Sequence, residues 1–108
     1  DKSEEQLGCI DSYIGNNLKS ANIEEMAKLL GNSAVNTGTL AKNLTGQTFS
    51  KTVQTKRCAA AAYKLLNTDM SVHEIAESVG YENKSFFRKV FKEKYGKNPL
   101  EFRKENIK

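Results

Sequence analysis

Six cations, Lys84, Arg88, Lys89, Lys92, Lys94 and Lys97, fall within fourteen residues that hold a single acid, Glu93. Such a density of positive charge draws a polyanion, and an arginine can also grip the O6 and N7 of guanine with two hydrogen bonds. Spacing gives the cluster a direction. On a helix of 100° per residue counted from Phe86, Arg88, Lys92, Ser85 and Lys89 fall between about 200° and 300°, while Phe86, Val90, Phe87 and Phe91 fall between about 0° and 140°. One face is aromatic and the opposite face cationic. Buried rings would fix such a helix, and its first turns would present Asn83, Lys84, Ser85, Arg88, Lys89 and Lys92 where a recognition helix enters the major groove. Stacking of Phe86 and Phe87 on single-stranded bases is the weaker reading, because both lie on the core side of the wheel.

The charge is uneven along the chain. Residues 1–50 carry four bases and six acids, net −2, whereas residues 51–108 carry thirteen bases and seven acids, net +6. The total of +4 in 108 residues therefore understates the second half. No stretch approaches the ~18 consecutive apolar residues of a membrane span, and the acidic opening Asp1-Lys2-Ser3-Glu4-Glu5 is unlike a signal peptide. A soluble, cytoplasmic protein is expected. Cys9 and Cys58 lack metal-ligand spacing and read as small hydrophobes in a reducing compartment, so no metal and no cofactor are expected. His73, the sole histidine, has no paired nucleophile and reads as a surface residue, which leaves no catalytic site and argues against an enzyme.

Glycine and proline together make only eight residues, so helix is the default and the fold is expected to be all-α, with about seven helices. Capping signals divide the chain. Ser3 with Gln6 reads as a capping box before Leu7, Ile10, Ile14 and Leu18. Asn22 caps a short helix whose Met26, Leu29 and Leu30 form its buried face before Gly31. Ser33 starts a polar helix that ends before Gly46. Residues 49–66, with an alanine run, read as a long helix in which Arg57 is expected to form a structural ion pair. Ser71 with Glu74 is a second box, Asn83 caps the cationic helix up to Gly96, and Asn98-Pro99 opens a closing helix.

These elements repeat. Ile23 through Gly31 overlies Val72 through Gly80 at an offset of 49; at 50, Ser33 meets Asn83, Leu40 meets Val90, Lys42 meets Lys92 and Gly46 meets Gly96. Two short helices about a tight glycine turn constitute a helix-turn-helix, here present twice. The expected organisation is a first helix-turn-helix subdomain at 1–48, a linker helix at 49–66 and a second subdomain at 67–108. A linker of about 27 Å would suit two reading helices in adjacent major grooves, roughly 34 Å apart. The first copy is weaker. Its inward positions read Asn36, Thr37, Leu40 and Ala41, its outward ones Val35, Gly38, Thr39 and Lys42. Val35 and Thr39 could meet thymine methyls, and Thr39 or Asn36 could hydrogen-bond; the competing reading is a degenerate copy kept for packing.

The residues Val72, Ile75-Ala76, Gly80-Tyr81, Asn83, Ser85, Phe87-Arg88, Phe91-Lys92, Gly96, Asn98-Pro99 and Phe102-Arg103 resemble the signature of the AraC/XylS family of bacterial transcription regulators. The resemblance covers about residues 5–104. It implies tandem helix-turn-helix subdomains on a long helix, double-stranded DNA as partner, promoter activation, and an effector or receiver domain beyond this chain. It also assigns DNA contacts to Lys84, Ser85, Arg88 and Lys89 in the second unit and to Val35, Gly38, Thr39 and Lys42 in the first. The first unit departs from the family pattern at Thr37, Gly38, Thr39 and Ala41. An alternative function is a protein-interaction module that contacts a regulator or RNA polymerase and binds DNA weakly.

Overall fold

A computed structural model describes residues 2–106, which form seven helices and no strand. They are α1 (Lys2–Asn16), α2 (Ile23–Leu30), α3 (Ala34–Thr45), α4 (Phe49–Asn67), α5 (Val72–Ser78), α6 (Lys84–Tyr95) and α7 (Pro99–Asn106). Packing divides the chain into two compact units, Asp1–Lys56 and Arg57–Lys108, so the boundary falls inside α4.

Most boundaries are set by side chains that take over unpaired backbone N–H groups. Asn22, Ser33, Asn83 and Asn98 each accept the N–H three residues ahead, and Ser71 with Glu74 closes a full capping box. Glu101 also accepts the N–H of Asn98, which makes the start of α7 a second reciprocal box. Ser3 is a correction, because α1 already runs from Lys2 and Ser3 lies inside it. Leu18 is another: α1 ends at Asn16, and the Asn17 N–H bonds Ile14 O in a turn beyond it. Leu29 leaves its expected buried face and is 61% exposed, because Met26 and Ala27 fill the contact.

Each helix-turn-helix turn is closed by the same bond. Asn32 N–H bonds Ala27 O at 2.9 Å and Tyr81 N–H bonds Ala76 O at 2.9 Å, with Gly31 (φ 67°) and Gly80 (φ 107°) in the left-handed region. A Cβ at either glycine would strain that turn.

The two cores share a plan and differ in material. In the second unit Phe87, Phe91, Ile75, Val79 and Cys58 are fully buried, and rings chain from Tyr81 through Phe87 and Phe91 to Tyr95 and Phe102 at 4.6–5.8 Å between centroids. Tyr95 and Phe102, 5.3 Å apart, join α6 to α7. Fifty residues earlier the same two positions are Thr45 and Thr52, whose hydroxyls lie 3.3 Å apart and join α3 to α4. Thr52 also donates to Thr48 O, and Thr45 accepts the Gln47 N–H. Where Phe87 and Phe91 fill the second core, Thr37 and Ala41 stand in the first, and the Thr37 hydroxyl is buried with no hydrogen-bond partner among the described residues. Ile10, Ile14, Met26 and Phe49 supply most of that core.

Arg103 ties the last helix to α4. Its guanidinium donates to Leu65 O at 2.9 Å and Thr68 O at 3.1 Å, where α4 runs out of its own donors.

Replacing Thr37 by valine should raise stability by about 1 kcal/mol, because it removes a buried unpaired hydroxyl at nearly constant shape. Phe91→Ala should lower it by about 3–5 kcal/mol. Urea unfolding at constant slope measures both, and a Thr37→Val chain less stable than the parent would contradict the packing described.

Candidate nucleic-acid interface

Burial of one stripe sets the rotation of α6. Phe87, Val90 and Phe91 are at most 5% exposed, and this puts Ser85, Arg88, Lys89 and Lys92 on the solvent side with Lys84 half-buried beside them. None of these five side chains has a hydrogen bond or ion pair with another described residue. Their charge is therefore directed outward, uncompensated by the protein.

One second-unit residue differs from expectation. Phe86, placed on the core side by the wheel, is 46% exposed, because the buried stripe centres on Phe87 and leaves residue 86 at its margin, against Tyr81 at 6.0 Å. Asn83 holds the Phe86 N–H at 3.0 Å, so its carbonyl oxygen serves the helix start and only its amide NH2 is available outward. Arg88 also lines an open cleft of about 350 Å³, together with Val72, Asn98, Pro99, Leu100, Glu101 and Lys104. Lys104 carried no sequence signal, since only the packing of α7 beside α6 brings it near Arg88.

The first unit presents a different surface. Val35 is 79% exposed. Thr39 is exposed, and its hydroxyl donates to Val35 O at 3.3 Å. Asn36 was expected inward but is exposed, with its amide 3.4 Å from Asn32 Oδ1. Gly38 is half-buried against α2, where an added Cβ would lie 3.4 Å from Ile23 Cδ1, so it offers backbone only. Lys42 is the one expected contact there that carries charge, and it is exposed.

Other candidate groups stay apart from this face. His73 is exposed, 3.8 Å from Glu77, and Cys58 is buried. Among the described residues no three His, Cys, Asp or Glu side chains are grouped to hold a metal, and no helix is long and apolar enough to cross a membrane.

Comparison with known proteins agrees with this geometry. The profile of a family described as a helix-turn-helix domain matches residues 26–105. The chain is 31% identical over 96 residues to the Msm operon regulatory protein of Streptococcus mutans, covering 89% of this chain and 34% of that protein. It is 27% identical over 100 residues to the regulatory protein SoxS of Escherichia coli K12, covering 93% and 91%. The chain thus spans about a third of one relative and nearly all of the other. Among solved structures it is similar to the C-terminal domain of AraT, a response regulator from Geobacillus stearothermophilus, with a TM-score of 0.84, 30% identity, and coverage of 92% and 84%.

Behind α6, Arg57 lies with its guanidinium 5.3 Å from the Tyr81 ring centroid, a contact that spacing alone did not signal. Burial pushes the Tyr81 hydroxyl up to about 12; the neighbouring Cys58 adds to the shift and Arg57 opposes it. Burial raises Tyr13 and Tyr95 as well. The unfolded chain would release the Tyr81 proton near 10, so stability present below that pH is lost as pH rises from about 10 to about 12. Tyr81→Phe should flatten this alkaline limb in melting temperature against pH, and identical limbs in the two chains would exclude Tyr81 as its source.

Proposed function

The chain belongs to the helix-turn-helix domain family, as a DNA-binding domain of the AraC/XylS type, and on that premise we propose that it binds double-stranded DNA sequence-specifically within a bacterial transcription regulator. The single observation that carries the reading is the uncompensated cationic face of α6, held outward by Phe87, Val90 and Phe91. Arg88 takes a guanine edge, Ser85 a base edge or phosphate, and Lys84, Lys89 and Lys92 the flanking phosphates. The second helix-turn-helix supplies most of the affinity, and the first adds contacts in a neighbouring major groove. The chain performs no catalysis in this reading and needs no cofactor. Its setting is cytoplasmic, and an effector or receiver domain and RNA polymerase complete the regulator's partners.

A second reading, a protein-interaction module, draws on Tyr63 and Leu66, which stand one turn apart on α4 and are 67% and 47% exposed. Salt separates the two. A domain held by phosphates should lose affinity steeply between about 50 and 200 mM salt, and an interaction module should show no such slope on duplex DNA.

Arg88→Ala should weaken binding to a selected duplex by about 1–3 kcal/mol and relax the base preference at one position, read by fluorescence anisotropy. Unchanged affinity would remove Arg88 from the interface. Selection from a random duplex library should return two motifs about one turn apart, and one isolated motif would leave the first unit without a reading role.

A further inference from the structure

The geometry points to a division of labour between the two reading helices: α3 reads thymine methyl groups by apolar contact, with Val35 and the methyl of Thr39 as the specificity-determining groups. The inference rests on the DNA-binding reading above and adds which base the first unit selects.

Three observations on α3 lead to it. Val35, a residue with no polar atom in its side chain, is 79% exposed in the first turn, at the position that Ser85 holds in α6. Thr39 lies one turn on, and its hydroxyl hydrogen is committed to Val35 O at 3.3 Å. Tetrahedral geometry at Cβ turns the Thr39 methyl away from that carbonyl. Of the polar side chain between them, Asn36, one amide N–H is turned back to the preceding turn, where it reaches Asn32 Oδ1 at 3.4 Å. The Thr39 hydroxyl hydrogen is drawn back onto α3, and at positions 35 and 39 methyl groups project in place of a donor.

Neighbours reinforce the apolar character. Gly38 contributes no side chain at the position of Arg88, and the Thr37 side chain is buried. Lys42, near the C-terminal end of the helix, supplies a phosphate anchor that positions α3 without selecting a base. In the major groove the thymine C5 methyl is the only apolar group a base edge offers, and alkyl side chains are its natural contact. Two exposed alkyl groups one helical turn apart thus fit thymines on neighbouring base pairs. Burial of one methyl corresponds to a factor of about four in affinity.

The test uses the 108-residue chain and a duplex obtained by selection, with each thymine replaced in turn by deoxyuridine, which removes the methyl and keeps every hydrogen-bonding group. One or two replacements in the part of the site bound by the first unit should lower affinity about fourfold each, with the salt slope unchanged. In Val35→Ala or Thr39→Ser the matching deoxyuridine effect should vanish, since either variant removes the partner methyls and Thr39→Ser keeps the hydroxyl. Both residues are exposed, so the fold should be retained, as circular dichroism would verify. Tight, salt-dependent binding that is indifferent to every deoxyuridine would overturn this inference and leave DNA binding standing. A deoxyuridine effect that persists unchanged in both variants would also overturn it. Absence of salt-dependent binding to any selected duplex would instead overturn the DNA-binding reading itself.

Discussion

Burial of three residues on one side of α6 governs what the second unit can do. Phe87, Val90 and Phe91 leave the helix one rotational setting, and that setting decides which charges meet solvent. An aromatic stripe resists rotation better than an aliphatic one, because ring pairs have preferred offsets as well as buried area. Cations one turn apart on a helix repel by about 0.2–0.5 kcal/mol per pair, so the row of Arg88, Lys89 and Lys92 weakens the isolated helix slightly and the buried side more than offsets it. The aromatic side and the charged side are thus two halves of one requirement.

The duplication shows how far one backbone plan tolerates different chemistry. Both units close their turn with the same backbone bond and restart the chain after a left-handed glycine, yet they join the next helix by different means. Tyr95 meets Phe102 ring to ring, whereas Thr45 and Thr52 meet through hydroxyls, at positions fifty residues apart in sequence. Hydroxyl bonds depend on geometry and ring packing depends on volume. The second helices of the two helix-turn-helix pairs differ as well, α6 cationic and α3 largely uncharged.

Much of this was legible in the sequence because caps and glycines act locally. Asn22, Ser33, Ser71, Asn83, Gly31 and Gly96 stop or start helices through bonds to residues three to five positions away, and such bonds are written in the spacing. What the wheel could not supply was the centre of a buried stripe, which depends on how neighbouring helices lean. That is why Leu29 and Phe86 emerged exposed, and why Asn36 lay outside. Long-range partners were equally hidden: nothing near Arg103 announces carbonyls thirty-five and thirty-eight residues away, and nothing near Arg57 announces Tyr81. The Thr39 hydroxyl is an intermediate case, since threonines in helices commonly bond the carbonyl four residues back.

The contrast between hydroxyl knot and ring stack has a thermal consequence. Exposure of aromatic and aliphatic surface raises the heat capacity of unfolding, and exposure of polar surface lowers it. The second unit, with its rings, should have the more sharply curved stability profile, and the first, with Thr37 and Thr52 inside and Thr45 half-buried beside Thr52, the flatter one. Hydrophobic hold weakens on cooling while hydroxyl bonds persist. Two halves of one chain, built on a common backbone plan, are therefore set to respond to temperature differently.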